Sequence, residues 1–232
     1  MSSASGEAER REIDERLAGA TIGILGGTGA QGNGLGRRFA AAGHPVLLGS
    51  RVAARAQEAA GHLAAEGLSV SGVANADAAA ADVVVVAVPY EGHESLLRSH
   101  AAALAGKVII DCVNPLGFDR QGAYPLAVPA GSAAQEAAAA LPDSQVVAAF
   151  HHVSAVLLAD PEVIEVPTDV LVVGDDPQAV ALVQALADQI PGMRGIYAGR
   201  LRNAHQLEAL TANLISVNRR YSAHAGLRVT DV

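Results

Sequence analysis

The chain contains no tryptophan, a single cysteine, a single lysine and only 3% aromatic residues. One cysteine, Cys112, allows neither an internal disulfide nor a multi-cysteine metal site, and it fits a reducing cytoplasm. The lone lysine, Lys107, leaves Tyr90, Tyr124, Tyr197 and Tyr221 without a lysine four residues on, so a Tyr-x-x-x-Lys acid for carbonyl reduction is absent. The few aromatics argue against a base-stacking surface for single-stranded nucleic acid. A net charge of −8 argues against polyanion binding as the main role. No apolar run approaches the ~18 residues of a membrane span, and the N-terminus lacks a hydrophobic signal core. What is abundant is aliphatic: half of the 232 residues are hydrophobic and alanine runs are frequent. That composition suits helices packed closely over a parallel sheet, as one domain or one and a half.

The chain is organised around residues 21–51, which read as strand, glycine turn, helix, turn and strand. Ile22, Ile24 and Leu25 precede Gly26, and Gly27-Thr28-Gly29-Ala30-Gln31-Gly32 then supplies GxGxxG between a strand and a helix. In that context the first glycine permits the tight turn and the second lets a pyrophosphate approach the backbone. The third lets helix and strand pack, and the free N–H groups of the helix start bind phosphate. The second strand ends at Gly49-Ser50-Arg51, about 20 residues on, where a reader of the adenosine ribose belongs. An acidic residue there would repel a 2′-phosphate. Ser50, Arg51 and, one turn further, Arg55 would instead bind it, because a guanidinium offers two parallel charge-assisted donors. The spacing therefore predicts NADP(H) over NAD(H).

Further along, 82–88 is a continuous apolar strand, the mark of burial on both faces of a parallel sheet. It ends at Pro89-Tyr90-Glu91. A strand over 107–111 leads into Cys112-Val113-Asn114-Pro115, a loop placed to line the nicotinamide half of a site. Residues 118–129 read as a covering loop, and 145–150 as a strand running into His151-His152. The last third adds a strand over 169–173, a helix started by Pro177, and a long helix over 203–223 with Leu207, Leu210, Leu214 and Val217 on one stripe. That stripe suggests a homodimer. The predicted fold is α/β: a doubly wound Rossmann-type parallel sheet with a smaller, mainly helical C-terminal part. The expected division is a flexible extension or short surface helix over 1–20, a cofactor-binding domain over 21–150 and a second part over 151–232.

Few residues offer other chemistry. Consecutive histidines cannot share one face of a strand or helix, so His151 and His152 make a poor metal pair, and no metal site is expected. Cys112 without a nearby base reads as a small apolar filler. Arg202, Arg219, Arg220 and Arg228 make the C-terminal segment locally basic, as a solvated face or an anion-binding surface.

Together these features resemble the NADPH-dependent F420 reductases, which exchange hydride between NADP(H) and the deazaflavin coenzyme F420. The resemblance spans 21–223. It rests on Leu25-Gly26-Gly27-Thr28-Gly29 with Gly32 and Gly34, Ala42-Gly43-His44, Gly49-Ser50-Arg51 and Val88-Pro89-Tyr90-Glu91. It continues through Phe150-His151 and Gly174-Asp175-Asp176 to Asn203, Glu208, Leu210 and Thr211. The resemblance implies that Gly27 to Gly32 hold the pyrophosphate and that Ser50, Arg51 and Arg55 hold the 2′-phosphate. It places Val88, Pro89, Tyr90, Asn114, Pro115 and Ala155 along the nucleotide. His151 and Val153 would contact the deazaflavin, with Leu207 nearby, and His151 would orient the ring. One departure is the His152-Val153-Ser154 run, where the family often has a Thr-Ile-Pro-like one. The implied partners are small molecules, with no nucleic acid and no membrane. The alternatives are an imine or ketone reductase, with a proton donor near Asn114, Tyr124 or His151, and a non-enzymatic NADP(H)-sensing regulator.

Overall fold

Short, mostly aliphatic runs build the sheet, the central ones with both faces buried. In the computed structural model, which describes residues 3–232, these are β1 (Ile22–Leu25), β2 (Val46–Ser50), β3 (Val70–Ala74), β4 (Val83–Val86) and β5 (Val108–Asp111). All four side chains of β4 are buried, as are those of β5. A two-stranded hairpin, β6 (Leu116–Asp119) and β7 (Gly122–Pro125), stands apart. Then β8 (Gln145–Ala148), β9 (Thr168–Gly174) and β10 (Met193–Gly199) complete eight strands in the order β10-β9-β8-β5-β4-β1-β2-β3. Every neighbouring pair is parallel except β8 with β9. The order 3-2-1-4-5 followed by β8 is that of dinucleotide-binding sheets, and it reverses between β1 and β4. Ligands of such sheets bind at that reversal, beyond the strands' carboxyl ends.

The helices are α1 (Ser3–Leu17), α2 (Ala30–Ala41), α3 (Ala53–Ala65), α4 (Asn75–Ala78), α5 (His93–Leu104), α6 (Ala133–Ala140), α7 (Ala155–Ala159), α8 (Pro177–Asp188) and α9 (Ala204–Tyr221). Their ends follow local chemistry. Gly43, at φ +100°, stops α2 just past its C-cap. Asp176 caps α8 by accepting from the Ala179 N–H at 2.8 Å, with Pro177 in the first turn. Apolar side chains form one cluster on each face of the sheet.

Three expectations change. The N-terminal segment is not a free extension. Ile13 and Leu17, one turn apart, are buried in the core and α1 contacts α8, although residues 1 and 2 lie outside the described residues. The expected loop over 118–129 is largely hairpin, because Gly122 at φ +126° and Asp119, which accepts from Gln121 and Gly122 N–H, close a tight turn. The division drawn at 150/151 falls between β8 and β9, which are hydrogen-bonded neighbours in one sheet.

Candidate functional site

The glycine turn lies at the carboxyl end of β1. A side chain at Gly26 (φ +81°) would meet Ala87 O at 2.6 Å, and one at Gly32 would meet Gly26 O at 2.8 Å. One at Gly27 would lie 3.0 Å from Leu48. Gly26 and Gly32 are therefore required by the protein's own packing, and Gly27 sits tightly against Leu48. Gly29 differs: a Cβ there would meet nothing closer than Gly26 O at 3.4 Å. Thr28, Gly29 and Ala30 are exposed, and Gly29 caps α2 with no side-chain acceptor. The turn thus leaves open space over uncapped helical N–H groups, the arrangement that binds a pyrophosphate.

Asn75 braces this turn. Its Oδ1 accepts from Gly26 N–H at 3.4 Å, and the side chain is buried. Asn75 is the first residue of α4, with its side chain turned to β1. At the end of β2, Ser50 is buried and accepts from Val52 N–H at 3.2 Å, while Arg51 and Arg55 are exposed. Among the described residues neither arginine has an ion-pair partner, whereas Arg37, Arg98 and Arg194 each hold a carboxylate. Two free guanidiniums where a ribose phosphate belongs fit NADP(H).

Beyond β4, Val88 packs against Gly26, since a Cβ on that glycine would lie 2.7 Å from Val88 Cγ1. Pro89 is exposed and Tyr90 half-buried. Past β5, Cys112 is buried with its thiol donating to Val86 O, and burial pushes its pKa up, so it is a filler and not a nucleophile. Asn114 ties the next strand end in place. Its Nδ2 donates to His151 O at 3.0 Å, and the Thr211 hydroxyl of α9 donates to the same oxygen at 3.0 Å. From the other side Gln31 Nε2 donates to Phe150 O at 3.0 Å. Phe150 has φ +62°, an unfavourable conformation for a residue with a side chain, and its ring is locked edge-on to Phe39. The chain therefore reverses at Phe150 and sets the direction of His151.

His151 is buried, and neither ring nitrogen has a hydrogen-bond partner. Burial lowers its pKa to about 4, so the ring is neutral at neutral pH. A buried imidazole with both nitrogens unpartnered costs free energy unless a ligand's polar edge meets it. His152 is different. Its Nε2 donates to Asp169 O at 2.7 Å, a structural bond between neighbouring strand ends.

Residues 21–115 match the family described as "NADP oxidoreductase coenzyme F420-dependent". The chain is 40% identical over 222 residues to the F420-dependent NADP reductase of Methanothermobacter thermautotrophicus, covering 91% of this chain and 95% of that protein. The chain belongs to this family. A crystal structure of a candidate F420-dependent NADP reductase from Arthrobacter sp. FB24 superposes with a TM-score of 0.79 at 27% identity, over 91% of this chain and 100% of that one. An imine reductase from Bacillus cereus (TM-score 0.60, 17% identity, 87% of this chain and 63% of that one) shares the fold alone.

Against the family pattern, the residues expected on the deazaflavin divide. His151 lies just past β8, buried, with both ring nitrogens unsatisfied among the described residues. Val153 is buried in the core cluster of α7 and α8, and Leu207 in the opposite cluster beside Val113 and Ala133. Both serve packing in this structure, and Thr211, one turn past Leu207, is the α9 residue that reaches His151. Pro115 is buried. Ala155 starts α7, with its carbonyl 3.4 Å from where a Gly34 Cβ would be, one turn into α2. Arg38 fixes this contact by donating to Leu158 O at 2.9 Å and Val163 O at 2.7 Å.

Sequence reasoning missed a buried ionisable network beside Tyr90. The Tyr90 hydroxyl donates to Glu136 (3.3 Å), and His93 bridges Glu136 (3.2 Å) and Asp111 (2.6 Å). His93 and Asp111 are fully buried. Burial alone would lower the His93 pKa, but Asp111 and Glu136 raise it to about 9, so His93 is charged. Glu208 of α9 accepts from Ala133 and Ala134 N–H, both at 3.1 Å, at the start of α6. Burial pushes its pKa up to about 7 against those bonds. The only signals in the sequence were a polar residue ending β5 and a lone glutamate on an apolar helix stripe. Neither names its partner.

Proposed function

We propose that this protein transfers hydride between NADP(H) and coenzyme F420, acting as a cytoplasmic homodimer. In this reading residues 21–150 bind NADP(H) and 151–232 complete the deazaflavin pocket. The observation that carries it is near full-length similarity to relatives named F420-dependent NADP reductase, joined to a phosphate cradle with free arginines beyond β2. A deazaflavin has carbon where a flavin has nitrogen, and so exchanges electrons with a nicotinamide in pairs, as hydride. The protein's task is then to bind and orient two planar rings and exclude water.

Residues of this chain divide that task. The start of α2 holds the pyrophosphate, and Ser50, Arg51 and Arg55 hold the 2′-phosphate. Val88, Pro89, Tyr90 and Asn114 line the nucleotide's path from the turn toward β5. His151, fixed through its carbonyl by Asn114 and Thr211, meets a polar edge of the second ring and orients it. The half-buried Leu210 and Leu214 and the exposed Val217 and Tyr221 leave the α9 stripe only partly covered by its own chain, which supports a second copy there. Light scattering that returned the mass of one chain throughout the micromolar range would remove the dimer.

The decisive experiment is optical. Protein, NADPH and oxidised F420 should bleach the coenzyme's visible absorbance in proportion to enzyme. No change in either direction, with NADPH consumed on a cyclic imine instead, would overturn the reading.

A further inference from the structure

The basic C-terminal segment divides in the structure. Arg228 joins Arg194 on the Asp169 carboxylate (2.8 and 2.7 Å), Arg200 donates to Asp175 O at 2.9 Å, and Arg202 is exposed in the short 3₁₀ turn (Leu201–Asn203) before α9. Arg219 and Arg220 behave differently. Both are exposed, neither has an ion pair or hydrogen bond among the described residues, and both line one open groove of about 580 Å³. The groove lies between the β6–β7 hairpin and the C-terminal turns of α9, with Phe118 and Ile215 among its apolar walls. On a chain of net charge −8, two adjacent unpaired guanidiniums in a groove are a local exception.

We infer that this groove binds the anionic tail of the deazaflavin substrate, with Arg219 and Arg220 as its cationic contacts. The inference rests on the deazaflavin reading above. Coenzyme F420 carries a polyol arm that ends in a phosphodiester and glutamate carboxylates, and guanidiniums suit both groups. Both walls of the groove belong to elements that also carry site residues. The hairpin begins at Leu116, two residues past Asn114, and α9 passes Thr211, whose hydroxyl holds His151 O. Eight residues separate Thr211 from Arg219, about 12 Å along the helix axis. A tail leaving a ring held at His151 thus has a path along α9 to the arginines. Phe118, 68% exposed, offers the arm an apolar wall. The one acidic lining residue, Asp119, accepts from Gln121 N–H (2.7 Å) and Gly122 N–H (3.2 Å) within its own turn, leaving the groove net positive.

The test compares two substrates that share the ring and differ in the tail: F420 and the tail-less 8-hydroxy-5-deazariboflavin, each with NADPH. The double variant Arg219→Ala, Arg220→Ala should raise KM for F420 about 10–100-fold with little change in kcat. No such rise should appear for the riboside. Wild-type preference for F420 should fade as salt is raised, and Arg219→Lys, Arg220→Lys should recover part of it. An unchanged KM for F420, or equal rises for both substrates, would overturn the groove assignment while leaving the deazaflavin reading standing. A fall in oligomeric mass without a change in KM would assign the face to a second copy of the chain and equally overturn it. Turnover of neither substrate by the wild type would bring down the deazaflavin reading, and the groove with it.

Discussion

The site has two sides built on different physical terms. The glycine side is backbone: its donors are helical N–H groups, its shape comes from glycines that no side chain can replace, and its cations are free in solvent. The histidine side is side chain. Phe150, His151, Asn114 and Thr211 come from three distant segments, and a fully buried His93–Asp111 pair lies next to it. One side is almost complete before the chain folds, because a strand, a turn and a helix are contiguous. The other exists only once β4, β5, β8, α6 and α9 have packed. Local geometry suits a ligand part common to many enzymes, and a tertiary assembly suits the part that distinguishes them.

The largest break in this contrast should come from the buried pair. His93→Ala would leave Asp111 charged and uncompensated in the core, and should destabilise the protein by about 3–5 kcal/mol in chemical denaturation. A loss under 1 kcal/mol would mean that the network is not the tertiary keystone described. Next is Arg51→Ala, which removes a charge-assisted contact worth about 1.5–3 kcal/mol. NADPH should lose most of its advantage over NADH in steady-state kinetics while thermal stability holds. An unchanged preference would remove the ribose clamp from the glycine side.

Two glycines sharpen the contrast within one turn. Gly32→Ala places a Cβ 2.8 Å from Gly26 O and should cost about 1–3 kcal/mol of stability. Gly29→Ala should change stability by no more than about 1 kcal/mol, yet weaken NADPH binding, as titration would show. If both variants lost stability alike and bound NADPH normally, Gly29 would serve the protein and not the ligand.

The subtlest readout is a pH slope at the histidine side. His151 has a folded pKa lowered to about 4 by burial, against 6.5 in the unfolded chain. Between those values the unfolded state takes a proton that the folded state refuses, so acid removes stability there, by at most about 1.4 kcal/mol per pH unit. His151→Gln should show a shallower slope, the remainder belonging to His152, whose pKa burial also lowers, and should slow F420 turnover and leave NADPH affinity intact. The same slope in both proteins would show that His151 is not the neutral, unpartnered group seen here.

Much of this was legible beforehand, and what was legible was local. The GxGxxG turn, the Gly49-Ser50-Arg51 end of β2, the buried run of β4 and the Asp176–Pro177 helix start are patterns within one or two turns of chain, where sequence neighbours are also spatial neighbours. Of the flexible extension or short surface helix expected at the N-terminus the helix forms, and its packing was not legible because two apolar residues on a charged helix are a weak signal until α8 is there to cover them. Val153 and Leu207, expected at the ring, are as buried as His151, and a resemblance fixes a position on an element but not the packing around its side chain.

The amino-acid sequence by itself determined the sheet's strands, the nucleotide cradle and the choice of the phosphorylated dinucleotide. These depend on periodicity, glycine sterics and one charge at one strand end, all short-range quantities. Tertiary structure alone decided which histidine keeps both ring nitrogens unpaired, which carboxylates charge His93 and which arginines stay free. Burial and polar pairing depend on residues as much as 145 positions apart, and no spacing along the chain encodes them.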